Sequence, residues 1–563
     1  MTVGALGSDL AARREQVSYA NLYLIAIVAN LGSFLFGYDF GATSWLLVDL
    51  GVLSSESTDD ASVRGTNFYS LVSDSAGMTG FIAAGASIGA LITYIPLLFW
   101  GNHILKKDEI LLASFLYFVG ALLESTSGSD GIGWTNGNAT GIALLISGRL
   151  VFGSGIAASF HAVPGYISEL GPAQLRGMVG SITESMIVTG VVVGFATGFF
   201  YEAQASWVVV YRVAYITALL MGLLALFIPH SPAGMVRSDF APEDVLESLR
   251  IVFPNADEED VKSLFRRREE ELLEAKRWAK LFAAESDADQ SGPAASSSSA
   301  SDAAAGASEN AGCCDASLTT EVRVLFSDST QQRCLLLAIL LVILQIGTGQ
   351  GVILYFSGDV FSEICPDSYD ACLLGFGGVK LFSAYLMVGV ADCWGRRDFL
   401  VWGTGVMVLG MLLLTVGLSQ GQLEAALAGL YISVAGYEAG LGSFMWILLS
   451  EIFPRFTRGA ANSLAVSTLF LFSTTLTFSL PYFYSASGLV PIFTLFTVVG
   501  GVSVGILYLY APETRGVELE EAYKLVDERF RQSGCCGIGT GDGASGGGVL
   551  GDAERMEQAK RLL

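Results

Sequence analysis

The stretch SELGPAQLRG, residues 168–177, returns in the second half of the chain as SEIFPRFTRG, residues 450–459. Both copies read S-E-x-x-P-x-x-x-R-G, and each follows a long apolar segment. A charged motif repeated at the same end of two apolar segments indicates two similar halves in the same orientation. The repeat therefore predicts a duplicated membrane protein.

Composition and apolar spacing place most of the chain in a membrane. Of its 563 residues, 52% are hydrophobic and 15% are charged, whereas soluble domains carry about 25% charged residues. A helix that crosses a bilayer needs roughly 20 apolar residues at 1.5 Å each. The apolar segments predict twelve spans, six in each half, near residues 20–48, 77–100, 109–127, 140–166, 178–203, 208–229, 333–361, 371–391, 398–418, 423–449, 460–484 and 488–511.

Polar segments divide the chain into five parts. We expect a cytoplasmic segment at 1–19, a six-helix bundle at 20–230, a cytoplasmic linker at 231–332, a second bundle at 333–511 and a cytoplasmic tail at 512–563. The linker begins with a charged helical pattern and continues as a Ser- and Ala-rich run, typical of flexible segments. Lys and Arg concentrate in the loops assigned to the inner side, as the positive-inside rule requires.

Charge and residue content argue against several function classes. A net charge of −23 with no useful basic patch argues against nucleic-acid binding. The 3 histidines lack metal-ligand spacing, and neither a nucleophile with a base nor a phosphate-binding loop is evident. We therefore expect no enzyme, no metal and no cofactor. Cys365 and Cys372 flank a short loop and would form a disulfide if that loop faces an oxidising compartment.

Five short motifs accompany the repeat: F-G-Y-D at 36–39, G-R at 148–149, P-G-Y at 164–166, D-x-x-G-R-R at 392–397 and P-E-T-R-G at 512–516. Each alone is weak, but together the chain resembles the sugar porter family of the major facilitator superfamily, over all twelve spans. The resemblance implies an all-α membrane protein of the major facilitator fold. It also implies two six-helix bundles, an intracellular helical linker, and a substrate bound between the halves near mid-membrane.

Two charged residues fall inside predicted spans at similar depth. Asp39 lies about nine residues from the outer end of span one, or roughly 14 Å deep, and Arg149 lies about nine residues past the outer start of span four. A charge at that depth costs at least ~2.5–3.5 kcal/mol, so the two are expected to pair. The resemblance implies a proton-coupling role for Asp39 with Arg149 as its partner. A static ion pair that holds the two spans together is the alternative.

Sugar recognition needs neutral donors and acceptors around the hydroxyls and an aromatic surface against the ring. The resemblance places these groups on spans five, seven, eight and ten, at Glu184, Gln345, Gln350, Tyr355, Lys380 and Trp446. Two positions depart from the family pattern, because Glu184 stands where many members have glutamine and Lys380 where several have asparagine. The two side chains neutralise each other if they meet, as a structural or gating pair. The alternatives are contacts to a polyol or a charged sugar derivative, or a second proton site.

Charged residues at the inner helix ends form a third candidate site. The resemblance implies that they close an inner gate in the outward-facing state, because a network present in one state shifts a two-state equilibrium by its sum. The predicted gating residues are Glu169, Arg176, Asp392, Arg396, Arg397, Glu451 and Arg458. The N-terminal copy of the 392–397 motif is lost at 101–103, where Lys106 and Lys107 are candidate substitutes, and the segment 229–234 lacks the usual Glu and Arg.

The leading interpretation is a proton-coupled symporter of a monosaccharide or polyol. A facilitative uniporter is the alternative, kept open by the altered pocket, and a transporter-like sugar sensor is a third. The expected partners are a small-molecule sugar or polyol, protons and the lipid bilayer, for a chain that works as a monomer. The plasma membrane is the expected location because no transit peptide is apparent, with vacuolar and plastid membranes as alternatives.

Overall fold

A computed structural model gives the fold. It describes residues 19–49, 72, 75–101, 104–127, 139–170, 176–201, 207–238, 240–266, 269–270, 273, 322, 324–366, 368–390, 395–454, 457–515, 517 and 519–532. The regular secondary structure within these ranges is helical. The Ser- and Ala-rich run of the linker and the Gly-rich part of the tail lie outside the described residues.

Six spans form the N-terminal half. The first is a bent pair, Tyr19–Ala29 and Leu31–Asp49, with an angle of 45° at the break. Asn30 stands at the break and donates its side-chain amide to Ala26 O at 2.9 Å, a local bond that competes with regular helix. The other five are Ala76–Trp100, Lys106–Thr126, Ala139–Leu170, Arg176–Tyr201 and Trp207–Ala225.

The C-terminal half contains two interrupted spans. Span seven consists of Ser329–Gly347, Gln350–Tyr355 and Ser357–Ile364, and span ten of Leu423–Tyr437, a π-helical turn Glu438–Gly442 and Ser443–Glu451. Spans eight, nine, eleven and twelve are Tyr369–Val390, Arg396–Ser419, Arg458–Ser487 and Leu489–Tyr510. Within the described residues, eleven helices and one bent pair are long and apolar enough to cross a membrane, which confirms the twelve predicted spans.

The first break in span seven depends on a glycine. Gly349 has φ 76°, in the left-handed region that side chains rarely adopt. A Cβ at this position would also lie 2.3 Å from the ring of Phe496, so the site excludes a side chain on both grounds.

Short helices cover the inner ends of the spans. Pro232–Arg237 and Pro242–Val252 follow span six, and Leu519–Gln532 follows span twelve. Arg333 at the start of span seven pairs with Asp527 of this last helix. The rings of Tyr510 and Phe530 lie 4.8 Å apart. The inner surface therefore has helical structure of its own, as the resemblance implies.

Glycines bring spans one and five into backbone contact. A Cβ at Gly37 would lie 1.8 Å from Ile187 O, and one at Gly190 would lie 2.0 Å from Phe34 O. Membrane helices lack a hydrophobic force between them and associate through such close packing. This contact fixes the position of Asp39, two residues after Gly37.

The two halves meet toward the predicted outer side. Ser44 Oγ lies 2.8 Å from Ser357 Oγ and accepts the Gly358 N–H at 2.9 Å. Spans two and eleven also approach closely, since a Cβ at Gly80 would lie 2.4 Å from Phe478 O. These contacts hold the bundles together at that end of the interface.

Candidate functional site

A buried ion pair lies inside the N-terminal half. Arg149 donates to Asp39, and both side chains are fully buried. Arg149 also donates to Ile82 O at 3.1 Å and to Ala83 O at 3.3 Å. The two carbonyl groups orient the guanidinium, so that its Nη1 faces the carboxylate. The structure thus brings together the two residues of the proposed coupling pair.

A second carboxylate, not predicted from the sequence, faces the same guanidinium. Glu124 Oε1 lies 3.9 Å from Arg149 Nη1, and Glu124 is fully buried. Among the described residues, neither oxygen of Glu124 accepts a hydrogen bond, and Asp39 Oδ2 does not either. Two carboxylates around one cation leave one negative charge uncompensated when all three are ionised, so the cluster has a place for one proton. The signal was present in the sequence, as an acidic residue in the outer part of predicted span three.

Two tyrosines border this cluster. Tyr211 OH lies 3.4 Å from Arg149 Nη1. The ring of Tyr355 lies 4.4 Å from that of Phe40, and its hydroxyl interacts electrostatically with Asp39 and Arg149. Tyr355 belongs to span seven, whereas the ion pair belongs to spans one and four. Phe40, the neighbour of Asp39 in the chain, therefore contacts the opposite half.

In the C-terminal half, Lys380 pairs with Glu438, which was not predicted. Lys380 donates to Glu438 Oε1, and both side chains are buried. Glu438 begins the π-helical turn that interrupts span ten, and such turns are frequent at functional sites. Lys380 therefore has a partner within its own half, different from the Glu184 considered from the sequence.

Glu184 and Trp446 lie where the two halves meet. Glu184 belongs to span five and interacts electrostatically with Glu438 and Lys380. Trp446, on span ten, is partly exposed, and its ring lies 5.8 Å from that of Phe160 on span four. The buried indole Nε1 makes no hydrogen bond of regular geometry among the described residues, but it lies beside the Glu184 carboxylate and interacts with it. An aromatic surface and an N–H donor thus lie next to a carboxylate.

The two predicted amides are both engaged with span ten. Gln345 Nε2 donates to Leu441 O at 3.3 Å, and Gln350 Nε2 donates to Ser433 Oγ at 2.6 Å. A Cβ built at the neighbouring Gly351 would meet no atom within 4 Å. A ligand that binds these buried amides must therefore compete with the protein's own acceptors.

At the inner end of the C-terminal half, Glu513 binds the start of span nine. Its carboxylate accepts the backbone N–H groups of Arg396 at 3.0 Å and Arg397 at 3.2 Å. Gly395 precedes this helix and offers no side-chain cap. Glu513 lies in the quoted P-E-T-R-G motif but was not predicted as a gating residue. A carboxylate at a helix N-terminus satisfies free N–H groups and the helix dipole together.

The predicted C-terminal gating residues surround this cap. Arg396 Nη2 lies 3.7 Å from Glu451, which also accepts from Thr514 at 2.5 Å. Arg397 donates to Tyr508 O at 2.8 Å, and its guanidinium lies over the Tyr508 ring. Arg458 donates to Phe453 O at 2.9 Å. Asp392 and the side chain of Arg176 lie outside the described residues.

The N-terminal half builds its inner cluster from a different arginine. Glu169 accepts a hydrogen bond from Ser231 and pairs with Arg237 at 3.3 Å. Ser231 also caps the short helix that carries Arg237, because its Oγ accepts the Gly234 N–H at 3.1 Å. Although residues 229–234 lack the usual Glu and Arg, the helix that they start supplies a cation to Glu169.

Lys106 and Lys107 are the candidate substitutes for the missing motif arginines. Lys106 is buried and lies 3.2 Å from both Glu109 and His161. Lys107 donates to Leu226 O at 3.0 Å. Both ammonium groups are therefore engaged within the N-terminal half, and their role as substitutes stays a prediction.

Removing the Glu513 cap is expected to destabilise the protein moderately. A Glu513→Ala variant leaves two N–H donors at the start of span nine without their acceptor, at a cost of about 0.5–2 kcal/mol. Glu513→Gln, which keeps one acceptor oxygen, should lose less. Thermal unfolding of the purified protein measures both, and an unchanged Glu513→Ala would show that water caps this helix equally well.

Twelve spans in two similar bundles, with buried charged groups at the junction, define a transporter of the major facilitator class. A family model described as "Sugar (and other) transporter" matches residues 25–290 and 263–525, from span one to beyond span twelve. The chain therefore belongs to this sugar transporter family and is a multi-pass integral membrane protein.

Curated relatives match over most of their length. The chain is 28% identical over 527 residues to "D-xylose-proton symporter-like 3, chloroplastic" of Arabidopsis thaliana, covering 90% of this chain and 83% of the relative. It is 25% identical to the arabinose-proton symporter of Escherichia coli strain K12, covering 91% of this chain and 95% of the relative. The fold also matches a solved structure of the xylose transporter XylE from E. coli in a partially occluded inward open conformation. The TM-score is 0.67 at 20% identity, and the match covers 88% of this chain and 99% of XylE. The last comparison supports the fold.

Proposed function

We propose that the protein is a proton-coupled symporter that moves a monosaccharide or polyol by alternating access. The observation that carries the proposal is the buried Asp39–Arg149 pair, with Glu124 as its third member. Ionisable groups within a membrane are costly and mark ion or substrate pathways by default. The names of the two relatives, an arabinose-proton symporter and a D-xylose-proton symporter-like protein, support the same assignment.

Coupling follows from competition for Arg149. While Asp39 is ionised, it holds the guanidinium. A proton on Asp39 removes that attraction and lets Arg149 turn toward Glu124, 3.9 Å away. Binding shifts a two-state equilibrium only by its differential affinity for the states. The contact of Phe40 with Tyr355 connects this rearrangement to span seven and thus to the movement of the halves.

The sugar is proposed to bind between the halves, with its ring against Trp446. Gln345, Gln350 and Tyr355 would contact its hydroxyls, displacing the present bonds to Leu441 and Ser433. Glu184 and Lys380 complete the proposed site on spans five and eight.

The inner charged clusters are proposed to act as the gate. Exposed pairs are each worth about 0–1 kcal/mol, so no single one controls the equilibrium. A network that forms in one state and opens in the other contributes its sum. Its proposed members are Glu169, Arg176, Asp392, Arg396, Arg397, Glu451 and Arg458.

Two other functions predict different transport behaviour. A uniporter equilibrates its sugar and ignores the proton gradient, so Asp39 and Arg149 would then be a structural pair. A sensor built on the transporter fold binds sugar without net uptake. The buried second carboxylate Glu124 favours symport over uniport, because a purely structural pair needs one carboxylate for one guanidinium.

We assign the protein to the plasma membrane as a monomer, since one chain contains both halves of the pathway. The disulfide between Cys365 and Cys372 joins the loop between spans seven and eight and supports an oxidising outer compartment. The chloroplastic relative makes a plastid membrane the competing location. Imaging a fluorescent fusion in the native cell distinguishes the two.

Uptake into proteoliposomes tests symport. With an inward proton gradient of one pH unit and the voltage clamped at zero, one coupled proton drives about tenfold accumulation. Labelled xylose, glucose, galactose and inositol are each offered as substrate. Wild type should accumulate one of them at least about tenfold, sensitive to a protonophore, and Asp39→Asn should accumulate it about tenfold less.

The matched control is Glu424→Gln, which removes one negative charge from an exposed position at the outer start of span ten. It should accumulate sugar as wild type does. If Asp39→Asn accumulates sugar as strongly as wild type, coupling does not pass through this residue. If wild type equilibrates the sugar without accumulation, the protein is a uniporter.

A further inference from the structure

The charged cluster of spans eight and ten has a single cation, and that cation is already engaged. Lys380 donates to Glu438 Oε1, and its ammonium lies 5.0 Å from the centre of the Tyr437 ring. Glu438 is fully buried, and its Oε2 has no hydrogen-bond partner among the described residues. Lys380 and Glu438 therefore neutralise each other within the C-terminal half.

Glu184 approaches this pair from the opposite half. Glu184 is 6% exposed, and its span packs against the span of Lys380, where Thr189 Oγ lies 3.2 Å from Tyr385 OH. The Glu184 carboxylate interacts electrostatically with Glu438 and Lys380. Among the ion pairs that the described residues form, none includes Glu184. With all three groups ionised, two carboxylates face one ammonium, and the cluster carries one surplus negative charge at the edge of the candidate sugar site.

A surplus charge in a desolvated place must be compensated or removed. The ammonium of an amino sugar would have to approach Lys380, which repels it. A proton on Glu184 meets no such obstacle. It also converts the side chain into a carboxylic acid with one O–H donor and acceptor capacity, the same pair of functions that an amide offers to a sugar hydroxyl.

We propose that Glu184 is a second proton-binding site, so that the protein moves two protons with each sugar. The proposal rests on the proposed symport and adds a stoichiometry to it. A proton from the outer solution binds a carboxylate oxygen of Glu184 and forms an O–H bond. The same O–H bond breaks when the proton leaves to the inner side, and no other bond changes.

The position of the cluster explains why Glu184 binds its proton in one state only. Glu184 moves with the N-terminal bundle, whereas Lys380, Glu438 and Tyr437 move with spans eight and ten. When the bundles rock, the distance between Glu184 and Lys380 changes. Close approach of the ammonium favours the carboxylate and releases the proton, whereas separation favours its uptake. The polar neighbours of Glu184 in this cluster are Lys380, Glu438, Tyr437 and the indole of Trp446.

Static-head accumulation measures the stoichiometry directly. With an inward gradient of one pH unit and zero voltage, one proton per sugar gives about tenfold accumulation and two give about a hundredfold. Wild type should accumulate its sugar about a hundredfold. Glu184→Gln, an uncharged replacement of the same size, should fall to about tenfold while still accumulating sugar, and Glu424→Gln should match wild type.

Each outcome has one meaning. Tenfold accumulation by wild type overturns the second proton and leaves symport intact, and this arm does not depend on any variant folding. If Glu184→Gln still accumulates sugar a hundredfold and Glu124→Gln does not, the second proton binds Glu124, and the inference is also overturned. No accumulation by wild type means that symport itself has failed. Labelled glucosamine is offered in parallel, and its selective, Glu184-dependent uptake would make this carboxylate an amine site instead.

Discussion

Replacing Arg149 with methionine is expected to lower the free energy of unfolding by about 3–5 kcal/mol and to abolish sugar transport. Arg149 is fully buried and interacts with Asp39, Glu124, Ile82 O and Ala83 O. Methionine retains much of the side-chain volume but none of the charge. The variant leaves two buried carboxylates without their cation and removes the guanidinium donor from two carbonyl oxygens.

The charge of the cluster, rather than its packing, should account for this loss. Replacing a buried ionic group by neutral residues of similar volume is often neutral for stability, whereas removing one partner is costly. A triple variant, Asp39→Asn, Glu124→Gln and Arg149→Met, should therefore recover most of the stability. It should still lack the accumulation that depends on Asp39, because this cluster has no carboxylate left.

Thermal unfolding of the purified protein, followed by tryptophan fluorescence, measures the three stabilities. Arg212→Met is the matched control, since Arg212 is exposed on the same span as Tyr211 and should cost little. Arg149→Met with the unfolding temperature of wild type would contradict a buried, electrostatically essential cation. A triple variant as unstable as Arg149→Met would show that the packing of the Arg149 side chain, rather than its charge, accounts for the lost stability.

The sequence predicts the spans well because their signal is local. Apolar length alone sets a span, and the predicted 423–449 corresponds to a helical segment that runs from Leu423 to Glu451 in three pieces. The same holds for the meeting of Asp39 with Arg149, since two opposite charges at equal depth in hydrocarbon have few alternative partners.

The sequence does not predict in the same way which carboxylate pairs with Lys380. It suggested Glu184, whereas the partner is Glu438, because the sequence does not reveal how far each helix is rotated about its axis. The π-helical turn at Glu438 changes that rotation within span ten, and it has no apolar pattern of its own. The break at Gly349 is similar, because its φ of 76° becomes visible only in three dimensions.

Replacing Lys380 with methionine should have the second-largest effect, a loss of about 3–5 kcal/mol of unfolding free energy. Glu438 is fully buried, and the ammonium of Lys380 is its partner. The double variant Lys380→Met, Glu438→Gln should recover most of that stability, because it leaves no unpaired charge on spans eight and ten. Lys524→Met is the control, since Lys524 lies on the inner helix Leu519–Gln532, away from the cluster. Thermal unfolding measures all three variants.

The stable double variant also tests what Lys380 does for Glu184. If the approach of the ammonium is what expels the second proton, a protein without it should keep Glu184 protonated throughout the cycle. Its sugar accumulation under a gradient of one pH unit should then fall from about a hundredfold to about tenfold. A hundredfold ratio in the double variant would show that another group drives proton release. Because stability and stoichiometry are read on the same sample, a folding defect cannot imitate a loss of coupling.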